Sequence, residues 1–109
     1  MAQYAVMIYE RETPNGVADI PPEILEAHGR VPAQVDELGG KILNALALQP
    51  TTTSTTIRDD VVTDGPFLES KEVLAGLFVV EARDLDHALA IGKLVPIMDG
   101  GVEVRPLLG

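Results

Sequence analysis

The sequence predicts an α+β fold in β-α-β-β-α-β order, carried by one domain spanning residues 1–109. Three observations lead there. Short strand-favouring apolar runs occur near both ends and in the middle, two stretches carry apolar residues at helical spacing, and a Gly-Gly pair precedes a strand in each half. Hydrophobic residues make up 46% of the chain and charged residues 23%, the composition of a folded domain and not of a disordered segment. With ten glycines added, the apolar share exceeds that of most soluble domains, which predicts apolar surface facing a second subunit.

The first strand is Tyr4-Ala5-Val6-Met7-Ile8-Tyr9, closed by Thr13-Pro14-Asn15-Gly16. Pro21-Pro22 presets the dihedrals of a helix start, and Glu23 lies in the first turn, where the helix dipole favours an anion. Ile24, His28, Val31, Val35 and Leu38 then fall on one helical stripe that ends at Gly39-Gly40. Pro32 lacks the N–H that would bond the carbonyl of His28, which predicts a kink there. Lys41 to Leu48 reads as strand two, and the hydroxyl-rich run Thr51 to Arg58 as a β-branched strand three. That run has two readings, a strand with one solvated face or a rim of hydrogen-bond donors lining a pocket.

Asp59-Asp60 turns the chain into a short return strand, Val61-Val62-Thr63, ahead of the punctuated Asp64-Gly65-Pro66-Phe67. Leu77 to Glu81 is the next strand. Asp84 is the expected N-cap of a second helix with Leu85, Ala88, Leu89, Gly92 and Val95 on its buried side, stopped by Pro96. Val102-Glu103-Val104-Arg105 closes the chain as the last strand. The order is that of a ferredoxin-like fold with an extra hairpin. Such a fold packs two helices on one sheet face and leaves the other needing cover, which a homodimer joined through the sheets would supply.

Eight Lys plus Arg against 17 Asp plus Glu give a formal charge of −9, which repels a phosphate backbone and sets direct nucleic-acid binding aside. The absence of cysteine excludes a disulfide framework, a thiolate zinc site and cysteine nucleophile chemistry. No apolar run approaches the roughly 20 residues of a membrane span. Met1-Ala2-Gln3-Tyr4 has no basic region ahead of an apolar block, so a cytoplasmic protein without a membrane partner is expected. No phosphate-binding loop, nucleophile elbow or one-turn His pair is present, so neither a cofactor nor a metal is implied.

Two histidines carry the remaining chemistry. His87 sits beside Asp86 on the polar side of its helix and reads as a solvated surface group. His28 lies on the apolar stripe, either as a hydrogen-bonded core residue or as a proton carrier. Asp64 either closes an Asx turn on its own backbone or orients one ring nitrogen of His28 while the other exchanges a proton with substrate. Arg58 and Lys71 read as solvated charges or as anchors for an anionic ligand, and Glu69 and Glu72 as surface carboxylates.

The run Thr63-Asp64-Gly65-Pro66-Phe67-Leu68-Glu69-Ser70-Lys71-Glu72, followed by Gly76-Leu77-Phe78-Val79-Val80-Glu81, resembles the DGPF signature of YciI-like, or YCII-related, proteins. The likeness extends through Ala82 to Leu89 and Val102 to Pro106, with Leu48-Gln49-Pro50 and the first strand also fitting. The resemblance implies a ferredoxin-like domain assembled as a homodimer of the dimeric α/β-barrel type. It also implies a His–Asp pair lining a pocket, for which His28 and Asp64 are the matching residues. DGPF-type members are discussed beside extracytoplasmic-function sigma factors, and no reaction comes with the resemblance. The functional expectation is a His28/Asp64 acid–base enzyme acting on a small molecule. The alternative is a non-catalytic ligand-binding or regulatory dimer, and a third possibility is a purely structural dimer.

Overall fold

The computed structural model describes residues 1–109. Strand β1 (Ala2–Arg11) leads through a 3-10 turn (Gly16–Asp19) to helix α1 (Pro22–Glu37) and strand β2 (Lys41–Ala47). A second 3-10 turn (Thr51–Thr53) precedes the hairpin of β3 (Thr55–Arg58) and β4 (Val61–Asp64). Strand β5 (Glu72–Ala82), helix α2 (Leu85–Gly92) and strand β6 (Gly100–Pro106) complete the chain. The main sheet has the order β2-β5-β1-β6 with every neighbour antiparallel, consistent with a ferredoxin-like fold, and β3-β4 forms a separate two-stranded sheet.

Alternation along β1 sorts the sheet into two faces. Tyr4, Val6 and Ile8 are buried with Val80 and Ala82 of β5, Val31 and Val35 of α1, and Ala88 and Ile91 of α2, so both helices cover the same face. Each fully buried Val or Ile in that layer contributes roughly 1.5–3 kcal/mol of transfer free energy. Ala5, Met7 and Tyr9 point the opposite way. Their register partners Val79 and Leu77 on β5, and Leu46 of β2 beside Leu77, extend a partly exposed apolar surface on which neither helix packs.

Helix α1 ends where the sequence places its end. Gly39 adopts φ 81°, a left-handed conformation natural to glycine, and Gly40 N–H donates to the carbonyl of Val35 at 3.1 Å. Asp84 caps α2 by accepting from the backbone N–H of His87 at 2.9 Å. At the 3-10 turn, Asn15 donates its backbone N–H at 2.9 Å and its side-chain amide at 3.0 Å to Asp19. Those bonds, the backbone one foremost, hold the Asp19 carboxyl below the ordinary aspartate value.

Three expectations need correction. Strand three does not begin at Thr51, because Glu12 accepts from Thr51 N–H at 3.1 Å and from its hydroxyl, while the Thr53 hydroxyl donates to the Pro50 carbonyl at 2.8 Å. Those local bonds compete with a ladder and tighten the segment into a 3-10 turn. The strand expected from Leu77 starts at Glu72, since Gly76 continues it where the backbone of β2 comes close: a Cβ there would meet the Leu46 carbonyl oxygen at 2.6 Å. The buried side of α2 is His87, Ala88, Ile91 and Gly92, and the expected core residues Leu85 and Leu89 are exposed.

The phase of α2 follows from His87, which is buried at 5% exposure and is not the solvated group its neighbours suggest. Its Nδ1 accepts from the backbone N–H of Arg83 at 3.0 Å, and its Nε2 donates to the carbonyl of Leu38 at 2.7 Å. An accepting Nδ1 fixes the tautomer with the proton on Nε2. One imidazole thus ties the start of α2 to the end of α1.

Candidate ligand-binding site

The hairpin rises beside the uncovered sheet face. Its base is closed by Gly65 N–H donating to the Ser54 carbonyl at 2.9 Å and by the Thr56 hydroxyl donating to the Gly65 carbonyl at 2.7 Å. Its tip turns through Asp59 and Asp60 at φ 50° and 66°, the two consecutive left-handed residues of a tight two-residue hairpin loop. Arg58 lies over the Phe67 ring, 4.2 Å from its centroid, and braces the return segment against β3.

Between hairpin and sheet lies a cleft of about 730 Å³, within the roughly 300–1,000 Å³ of small-molecule sites. Hydroxyl-bearing residues Tyr9, Thr51, Ser54, Thr55, Thr56 and Ser70 line it, so its walls both donate and accept hydrogen bonds. Leu48, Phe67, Leu68, Val73 and Leu74 supply the apolar part. Glu72 and Glu103 are its only charged residues, and Glu103 Oε2 accepts from Arg105 Nε at 3.0 Å. Glu12 fastens one wall through Thr51. A smaller cavity of about 390 Å³ between α2 and β6 is mostly apolar and has Lys93 as its single charged residue.

The sequence-selected residues distribute unevenly around this cleft. His28 sits half-buried on α1 and Asp64 lies exposed at the end of β4, opposite Thr55; no hydrogen bond or ion pair joins them, and neither lines the cleft. Arg58 touches the site only through Phe67, and Lys71 is exposed between the lining residues Ser70 and Glu72. No cluster of three His, Asp or Glu side chains is arranged to hold a metal. No helix is long and apolar enough to cross a membrane.

Of the Thr/Ser run, Thr51, Ser54, Thr55 and Thr56 line the cleft, while Thr52 and Thr53 are exposed away from it. Sequence reasoning missed Tyr9, Phe67, Glu72 and Glu103 as site residues. Tyr9 had a usable signal, its odd position in a strand whose even positions are buried, whereas Glu103 enters only because β6 pairs beside β1.

Comparison with known proteins gives two findings. A family model described as the YCII-related domain matches residues 2–108. An uncharacterised protein of Rhizobium meliloti (strain 1021) is 37% identical over 75 residues, a match covering 62% of this chain and 60% of that protein's length.

Proposed function

This chain belongs to the YCII-related family, and from that premise we propose that it works as a homodimeric small-molecule-binding domain whose ligand sits in the cleft at the hairpin base. The observation that carries the reading is the cleft itself, which pairs a hydroxyl-rich wall with an apolar one. The dimer is supported by surface area. The accessible surface is 7324 Å², about 1,500 Å² more than the roughly 5,800 Å² typical of a folded monomer of this mass. A stable interface needs about 800 Å² from each partner. The radius of gyration, 15.0 Å, likewise exceeds the about 13 Å of a compact chain of this length. The uncovered apolar face around Met7, Leu77 and Leu46 is the surface to be shared.

The acid–base alternative keeps His28 as proton carrier and Asp64 as its orienting partner, and needs a contact between them that the single chain does not make. The regulatory alternative, with a link to extracytoplasmic-function sigma-factor signalling, adds a protein partner and rests on the resemblance alone. Binding without proton transfer uses the groups that the cleft contains.

A thermal-shift screen with a metabolite library tests the proposal, because a ligand that binds only the folded state raises the melting temperature by mass action. Thr55→Trp fills the cleft from an exposed rim position and is expected to abolish the shifts that the unaltered protein gives. Absence of any reproducible shift, or shifts that persist in Thr55→Trp, would overturn it.

A further inference from the structure

The β3-β4 hairpin presents an apolar surface that nothing in its own chain explains. Ile57 and Val62 face each other across the two strands at 68% and 64% exposure. Leu68, in the segment that follows β4, is exposed at 72%. The hairpin pairs with no strand of the main sheet, and an isolated two-stranded hairpin is marginally stable in water. The exposed Ile57–Val62 pair on such an element is apolar surface left for a partner.

Its position identifies that partner. The cleft is walled by hairpin residues Thr55 and Thr56 on one side and by Tyr9 and Glu103 on the other. Tyr9 alternates with buried Ile8 and Glu10, and Glu103 is the register partner of Met7, so both lie on the uncovered sheet face. The hairpin therefore stands on the side where a second copy would dock. The surplus surface of about 1,500 Å² exceeds the roughly 800 Å² a partner must contribute.

We propose that the β3-β4 hairpin is a clasp: its Ile57–Val62 surface docks on the second copy, and that copy closes the ligand cleft. This rests on the dimer reading above. Each cleft is then completed by the partner, so occupancy and dimerisation are linked, each strengthening the other by the same factor.

The test uses the full chain. Ile57→Lys with Val62→Glu removes the apolar surface while leaving an opposite-charge pair across the strands, which preserves the hairpin. Sedimentation equilibrium of this variant is expected to give a dimer dissociation constant at least tenfold weaker than that of the unaltered protein, with an unchanged circular dichroism spectrum. The chain has no cysteine, so Val62→Cys introduces a single thiol. Its alkylation rate is expected to fall at least fivefold as protein concentration is raised through the dimer range. An unaltered protein that stays monomeric throughout would overturn the dimer reading and the clasp with it. A dimer of undiminished affinity in the double variant, or a Val62→Cys thiol equally reactive in monomer and dimer, would overturn the clasp alone.

Discussion

Replacing His87 by alanine tests the helix-to-helix tie. The imidazole makes two hydrogen bonds, from Arg83 N–H at 3.0 Å and to the Leu38 carbonyl at 2.7 Å, in a site where the residue is 5% exposed. Each bond is worth about 0.5–1.5 kcal/mol net, and truncating a buried ring adds a cavity cost, so the expected loss is about 2–4 kcal/mol. At roughly 4–8 °C per kcal/mol for a domain near this size, the melting temperature should fall by about 8–30 °C. The assay is urea unfolding at fixed protein concentration, because a dimer makes apparent stability concentration-dependent. His28→Ala is the internal control. That side chain is half-buried and makes no hydrogen bond, so its loss should cost less than about 1 kcal/mol. Equal costs for the two substitutions, or a His87→Ala protein within about 0.5 kcal/mol of the unaltered one, would refute the assignment.

Three further outcomes follow from the geometry. Asp59→Asn with Asp60→Gly supplies the residues preferred at two consecutive left-handed positions, and should raise hairpin stability by about 0.5–1 kcal/mol, read from amide exchange in β3 and β4; unchanged or faster exchange would argue against the turn as described. Asp64→Asn should leave the His28 ring chemical shifts unmoved at fixed pH, because no hydrogen bond or ion pair joins the two within the chain; displaced ring resonances would restore the acid–base pair. Asn15→Ala should move the Asp19 titration upward toward ordinary aspartate by removing the amide donor. Because folding lowers the Asp19 value, its small stabilising effect is present above the unfolded carboxyl value and is lost as pH falls through the folded one; an unmoved Asp19 titration would contradict the cause given.

Much of the architecture is written in local signals. Gly39-Gly40 marks the end of α1 because only a residue tolerant of positive φ fits there, and Asp84 marks the start of α2 because its carboxylate meets the first free N–H groups. The rotation of α2 was not legible. His87 looks polar and peripheral in its own helix, and the group that buries it, the Leu38 carbonyl, lies 49 residues away. Once that bond forms, Leu85 and Leu89 turn outward despite their apolarity. The same reasoning applies at the cleft. The hydroxyls of Thr51 to Thr56 announce themselves in sequence, but Tyr9 and Glu103 join them only when β1 and β6 pair and the hairpin folds over their end.

The proposed dimer places a second copy over the sheet face bearing Met7, Leu46 and Leu77. Isotope-filtered NMR on a mixture of labelled and unlabelled chains tests it most directly. A shared sheet face gives intermolecular nuclear Overhauser effects to the Met7 and Leu77 methyl groups and a particle twice the 11.6 kDa chain mass. A dimer without cross-peaks at these methyl groups, or a particle of single-chain mass at millimolar concentration, would contradict it.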